Sequence, residues 1–373
     1  MEHTPKKHAL DFTFLGIVAT LSVLGFFIFA SASLGLLARG TAHFSHIAFS
    51  QLALGAGGGI LALLFFLHIP YRLLFRYAPH AFLLGVVLSM LVFVPVLGSE
   101  VNGAHRWIFL GGLSLQPAEF LKFGFVLCVA WYYGSVYKRI ENPRFSLTGL
   151  LVMLLLAGVP LLLQPDTGTL LILVATGSIV AFSAGVPWKH VGIAVLSTVL
   201  LSALLVSMRP YLLERVDVFL HPSHDPQGAG YQIKQSFIAT GSGGIFGRGF
   251  GKSVQKFGYL PEPTNDSIFS VYAEEMGFVG AVFLLGLFLS FAYRGLRIAS
   301  HAPDRFSGFL VVGFVSLIMI QVCMNISAMI GIFPLTGEPL VFVSQGGTSL
   351  FFALASAGII LNISHFTTKR YTV

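Results

Sequence analysis

Residues 12–34 read FTFLGIVATLSVLGFFIFASASL, 23 consecutive positions without a charged side chain. A helix needs about 20 apolar residues to cross a hydrocarbon core roughly 30 Å thick. Nine further apolar runs follow, at 46–68, 79–97, 117–136, 146–163, 168–186, 190–208, 267–292, 307–330 and 344–364. The runs 146–163 and 168–186 are short and read as a bent hairpin pair. The pattern predicts an all-α polytopic membrane protein. It is a bundle of about ten transmembrane helices that forms one transmembrane domain over 1–373, with a single large extracytoplasmic loop at 209–265.

Composition points the same way. Of 373 residues, 55% are hydrophobic, 10% are charged and 36 are Phe. Soluble domains carry about 25% charged residues. A cytosolic enzyme, a disordered chain and a secreted disulfide module are therefore excluded. The net charge of +7 does not imply nucleic acid, because basic residues collect in cytoplasmic loops of membrane proteins. Cys128 and Cys323 lie inside apolar runs and form neither a disulfide framework nor a metal spacing. Lys6 and Lys7, with Ala30-Ser31-Ala32, resemble a signal peptide. The apolar stretch exceeds the usual h-region of about 7–15 residues, so an uncleaved first span is expected.

The cations orient the bundle. With the N-terminus in the cytoplasm, 13 of the 22 Lys and Arg residues fall in cytoplasmic segments and six in the 209–265 loop. Only Arg39 and Arg106 occupy the short outer loops, and Lys122 sits within a span. Both termini are expected to be cytoplasmic.

Polar residues concentrate in two outer segments. The first, 98–122, reads GSEVNGAHRWIFLGGLSLQPAEFLK. Asn102-Gly103 is a turn signal. Arg106 and Trp107 form an amphipathic pair suited to the membrane surface, and Pro117 suits the first turn of a helix. Glu119 and Lys122, three apart, share a helix face. They are either a self-neutralising pair or a functional one, since ionisable groups inside a bundle are costly.

The second, 221–266, reads HPSHDPQGAGYQIKQSFIATGSGGIFGRGFGKSVQKFGYLPEPTND. Six glycines crowd 241–251. Such backbone can aim N–H groups at an anion, with Lys252 and Lys256 following. Gly251-Lys252-Ser253 ends like a P-loop, but that motif needs Gly at 246, which is Phe. His221, His224 and Asp225 make a weak metal pattern, read as ordinary loop residues. Asp266 stands where the loop enters a span, either as a helix N-cap or as a carboxylate facing a cleft. Glu274 and Glu275 lie about two turns deeper and are expected to pair with polar partners or to face water.

In combination these motifs resemble the SEDS family (shape, elongation, division and sporulation), most closely its FtsW-like branch, with the RodA-like branch second. The stretches that carry the resemblance are NGAHRWI at 102–108, QPAEFLK at 116–122, QPDTGT at 164–169, DPQGAGYQIKQSFIATGSGG at 225–244, SVQKFGYLPEPTND at 253–266 and EEMGFVG at 274–280. Asn325, Pro334, Thr336-Gly337 and 344–349 match the C-terminal signature. Gln345 stands where the family usually has Tyr. Pro263 and Thr264 replace a small residue and His, and Ser267 replaces Phe.

The resemblance implies a peptidoglycan glycosyltransferase. It would polymerise lipid II, the undecaprenyl-pyrophosphate-linked disaccharide-pentapeptide, at the outer face of the bacterial cytoplasmic membrane, at the division septum. Asp266 is the implied catalytic residue. Asn102, Arg106, Trp107, Gln116, Glu119, Lys122, Lys252, Lys256 and Glu262 are the implied substrate-binding set. No cofactor is certain, though a divalent cation is possible. A class B penicillin-binding protein and other division proteins are the implied partners. A lipid II flippase would instead place polar groups through the bilayer, and a scaffold for the penicillin-binding protein would need no acid in a cleft.

Overall fold

The computed structural model describes residues 9–37, 41–94, 98–101, 104–110, 113–207, 217–221, 224–225 and 227–367. Asn102 and seven of the 22 cations used above lie outside these residues. The helices are α1 (Phe12–Leu37), α2 (Thr41–Ser50), α3 (Gly59–His68), α4 (Tyr71–Leu91), α5 (Pro117–Val136), α6 (Pro143–Ser146), α7 (Thr148–Leu163), α8 (Thr167–Ser183), α9 (Trp188–Ser207), α10 (Ala229–Ser242), α11 (Ile268–Ser300), α12 (Arg305–Met329) and α13 (Gly347–Ser364). A π-helical stretch, Gln51–Gly58, joins α2 to α3. Among the described residues, eight helical stretches are long and apolar enough to cross a membrane. Two more, Thr167–Ser183 and Trp188–Leu200, are apolar but shorter. The all-α polytopic class therefore holds.

Two local expectations are corrected. The third span was placed at 79–97, yet α4 runs from Tyr71 to Leu91 and passes through Pro79. The segment before Pro79 carries the cations Arg72 and Arg76, which lower its apolar content although it is helical. The helix starts instead behind Pro70, where a proline costs no hydrogen bond. The segment 98–116 was read without strands. It forms an antiparallel sheet, β1 (Gly98–Val101), β2 (Ala104–Leu110) and β3 (Leu113–Leu115), in the order β1-β2-β3. Strands this short show too few alternations to stand out from the apolar spans around them.

Small residues let the helices approach closely, as packing in lipid requires. A Cβ at Gly85 would lie 2.9 Å from the Leu121 Cα, and one at Gly124 2.9 Å from the Ala81 carbonyl oxygen, so α4 and α5 interlock through glycines. Gly358 on α13 abuts the Leu63 backbone of α3 in the same way. At the end of the bundle away from the sheet, Arg294 of α11 donates to both carboxylate oxygens of Asp11 at 2.9–3.0 Å. Asp11 also caps α1 through the Phe14 N–H.

α11 is not continuous. Gly277 takes φ +67° and ψ −167° inside it. The N–H groups of Phe278 and Val279 lose their helical acceptors and donate to the carbonyls of Gly244 (2.9 Å) and Ile245 (3.1 Å). The freed carbonyls of Glu274 and Glu275 accept from Arg248 (3.0 Å) and Gly249 (2.9 Å). The glycine-rich loop thus stitches the broken helix. Non-helical backbone at membrane depth persists only where other protein groups satisfy it. The fit needs bare glycines, since a Cβ at Gly247 (φ +78°) would stand 2.1 Å from the Glu275 carbonyl oxygen. Gly247→Ala should therefore cost at least about 2 kcal/mol, combining left-handed strain with a backbone clash. Gly286→Ala, where a Cβ meets nothing within 4 Å, should stay within about 1 kcal/mol of the parent. Thermal unfolding of the purified protein in detergent measures both.

Candidate functional site

The polar residues gather at the sheet end of the bundle. Pro117 opens α5, which places Glu119 and Lys122 one turn in and on one face. Lys122, 2% exposed, donates to Glu119 Oε1 at 2.9 Å and to Gln321 Oε1 at 3.0 Å. It also lies 3.6 Å from Glu338 Oε2. Glu338 sits on the connection between α12 and α13. Its Oε1 accepts from Thr169 Oγ1 at 2.9 Å, and that hydroxyl also lies 3.0 Å from Asp166 Oδ2. Asp166 caps α8 through the Thr169 N–H. Burial pushes the Glu338 carboxyl above the usual carboxylate range, Lys122 opposes that shift, and the Asp166 and Glu119 carboxylates add to it. Three acids therefore surround one ammonium.

Asp266 lies at the end of the loop leading into α11 and is 7% exposed. Its Oδ1 accepts from Gln232 Nε2 at 3.2 Å, and the same amide donates to Ser267 Oγ at 2.9 Å. The expected N-cap role falls to Ser267, which makes no side-chain cap bond there. Burial raises the Asp266 carboxyl to about 6, the nearby Glu262 charge adds to the shift, and the Gln232 amide opposes it. Asn325 joins the two groups. Its Nδ2 donates to the carbonyls of Asp266 and Glu338, each at 2.8 Å. Gln232, Asn325, Gln321, Asp166, Thr169 and Glu338 thus belong to the site although none was singled out as a site residue. Asp166, Thr169, Gln232 and Asn325 were already among the quoted stretches and signature residues, whereas the spacing of Glu338, 216 positions after Lys122, carries no local signal.

The sheet adds Arg106 and Trp107, both half-buried on β2. Arg106 Nε donates to the Gln164 carbonyl at 3.1 Å and Nη2 to that of Pro165, which are the two residues before Asp166. Gln116 is half-buried, and its backbone N–H donates to Thr348 Oγ1 at 3.3 Å. Gln51, at the start of the π-helical stretch, donates to the Ser344 carbonyl at 3.2 Å and accepts from the Gly346 N–H at 3.0 Å. Such helix defects often occur at functional sites.

Lys252 and Glu262 are exposed. Lys256 is a correction. It is fully buried and donates to Glu275 Oε1 at 2.7 Å, to the Gly251 carbonyl at 2.9 Å and to Ser31 Oγ at 3.1 Å. Its partner Glu275 comes 19 positions later, so the sequence showed a free cation where the fold has a closed ion pair. The loop does aim N–H groups at an anion, but that anion belongs to the chain. Glu274 accepts from the Val254 and Gln255 N–H groups at 3.1 and 3.3 Å and from the Ser253 hydroxyl. Glu274 and Glu275 have the polar partners expected of them. Asp225 is not part of a metal group. Its carboxylate accepts from the Gly228 and Ala229 N–H groups at 2.8 and 2.7 Å and starts α10.

The departures from the family pattern meet one another. Thr264 Oγ1 donates to Gln345 Oε1 at 2.7 Å, and the Gln345 N–H donates to the Thr264 carbonyl at the same distance. Ser267 supplies the hydroxyl that shares Gln232 with Asp266.

Lys122→Met should leave Glu119 and Glu338 without their cation and cost about 3–5 kcal/mol. Glu119→Gln with Lys122→Met removes charge from both partners and should recover part of that loss. Thermal unfolding of the three proteins in one detergent checks the order.

Comparison with known proteins places the chain in a family. The family model described as cell cycle protein, covering FtsW, RodA and SpoVE, matches residues 12–369. Stage V sporulation protein E of Bacillus subtilis is 36% identical over 98% of this chain and 99% of its own. A probable peptidoglycan glycosyltransferase FtsW of Trichlorobacter lovleyi is 37% identical over 95% of this chain and 93% of its own. A solved structure described as structural coordination of polymerization and crosslinking by a peptidoglycan synthase complex superposes with TM-score 0.78 and 30% identity, covering 97% of this chain and 99% of that one. The crystal structure of rod shape determining protein RodA from Thermus thermophilus gives TM-score 0.69 and 27% identity, with coverage of 97% and 99%. The chain belongs to the FtsW/RodA/SpoVE family of cell cycle proteins.

Proposed function

We propose that this multi-pass membrane protein is a peptidoglycan glycosyltransferase that polymerises lipid II, with Asp266 as its general base. The observation that carries the reading is a buried carboxylate at the sheet end, with its pKa near 6 and its backbone joined through Asn325 to the Lys122 network. A base works best when its pKa lies close to the operating pH. The sheet end and the 209–265 loop face out of the cell, both termini face the cytoplasm, and the chain is one functional domain at the division septum.

The chemistry follows from the groups present. The growing strand carries a lipid pyrophosphate on its anomeric carbon. The 4-hydroxyl of the incoming lipid II attacks that carbon, its proton passes to an Asp266 oxygen, and the pyrophosphate leaves. Arg106 uses two of its five N–H donors on the Gln164 and Pro165 carbonyls, so the rest of the guanidinium can face a phosphate. Lys252 adds exposed positive charge. Trp107 lies beside Arg106 on β2 and offers a ring face to sugar or lipid. Glu119, Lys122 and Glu338 act by holding the cleft wall. A class B penicillin-binding protein, with other division proteins, takes the product strand. The four ionisable groups that a transporter could use, Glu119, Lys122, Glu274 and Glu275, all have partners within the protein: Lys122 pairs with Glu119, Glu274 is held by residues 253–255 and Arg248, and Glu275 by Lys256 and Ser31.

Two outcomes are expected with purified protein and fluorescent lipid II. Asp266→Asn should lower the polymerisation rate by at least about 100-fold while thermal unfolding shows it intact; an unchanged rate would remove Asp266 from the mechanism, and no polymerisation by the unsubstituted protein would favour a scaffold. The unsubstituted protein should lose activity with unit slope as pH falls through about 6, because only the ionised carboxylate accepts the proton.

A further inference from the structure

A second cluster lies apart from Asp266 and its network. Asp217, His221 and His224 are all exposed, and their ligand atoms lie within 4.8 Å of one another. Among the described residues, no other trio of His, Cys, Asp or Glu side chains is grouped this way. His221 Nδ1 is 3.3 Å from Asp217 Oδ1, and His224 Nδ1 is 2.8 Å from Asp217 Oδ2. The two imidazole rings stack at 4.9 Å and 18°, so both present Nδ1 to one carboxylate. The sequence pattern suggested Asp225 as the acid, but Asp225 is engaged with the start of α10. The acid is Asp217, four residues before His221, a spacing that puts both on one helical face.

We propose that Asp217, His221 and His224 bind a divalent transition cation, Zn2+ foremost. Zn–N and Zn–O bonds of about 2.0–2.2 Å place neighbouring tetrahedral ligands roughly 3.3–3.5 Å apart. The 3.3 Å separation already matches that spacing, the 2.8 Å one needs roughly half an ångström of opening, and all the ligand atoms already lie within 4.8 Å of one another. Two imidazoles and one carboxylate suit Zn2+, Ni2+ or Co2+, whereas Mg2+ and Ca2+ prefer oxygen donors throughout. Three protein ligands leave a fourth position for water, which is the open form of a zinc site. The ion would clamp the chain just ahead of Asp225 and so steady the start of α10, the helix that carries Gln232 to Asp266. Such a site is separate from the polymerising centre and does not depend on the function proposed for it.

The test uses the full chain, purified in detergent without a polyhistidine tag. Zn2+ is titrated in competition with a chromophoric chelator, and Co2+ is added separately to read the visible bands of a four-coordinate ion. One cation per chain is expected, with no competition from a hundredfold excess of Mg2+. His221→Ala, His224→Ala and Asp217→Asn should each weaken binding at least tenfold. All three positions are exposed, so thermal unfolding in chelator should be unchanged and will show that each variant is folded. Failure of the unsubstituted protein to take up Zn2+ below about millimolar concentration would overturn the proposal, as would equal uptake by folded variants, which would place the ion elsewhere.

Discussion

Backbone N–H and C=O groups cannot be left unpaired in a region without water, and the break in α11 makes that constraint acute. One residue, Gly277, interrupts the helix, and four backbone bonds must be found elsewhere. The loop 244–249 supplies all four. That match fixes where the loop lies, and the loop in turn fixes Ser253, Lys256 and their carboxylate partners. The chain between the loop and α11 then arrives at Asp266. A change in the stitching would therefore reach the acid through the backbone.

The same end of the bundle is held by a second device. Lys122 is shared among acids from α5 and the α12–α13 connection, and Asn325 links that group to the main chain at Asp266. Removing one partner of such a buried network costs more than its formation contributes, because the remaining charge cannot be resolvated. The shared residues tie α5, α8, α12 and the entry to α11 into one wall. Thr264 and Gln345, bonded through both side chains and backbone, add a further tie at the entry to α11.

Much of this was legible in the sequence. The spans were visible because hydrocarbon thickness imposes a length, and Glu119 with Lys122 was visible because helical spacing places them on one face. The start of α4 was hidden because Arg72 and Arg76 break the apolar run there, although the helix continues through them and through Pro79. The sheet at 98–115 was hidden by the shortness of its strands. Lys256 was misread because an ion pair across 19 residues has no periodic signature, and Glu338 was missed for the same reason. Local physics writes itself into spacing, while partners brought together by tertiary folding leave no mark in a single chain.

The split helix has a mechanical consequence. Both segments meet the glycine loop at the break, and the long segment then rests on α1 and α12, with Phe14 against Phe291 at 5.1 Å. The two segments share one chain but not one rod. Because Phe278 and Val279 of the long segment are themselves bonded to Gly244 and Ile245, tilting of that segment, as when membrane thickness changes, bears on the joint and on the loop that leads to Asp266, which couples that carboxylate to the elasticity of the surrounding bilayer.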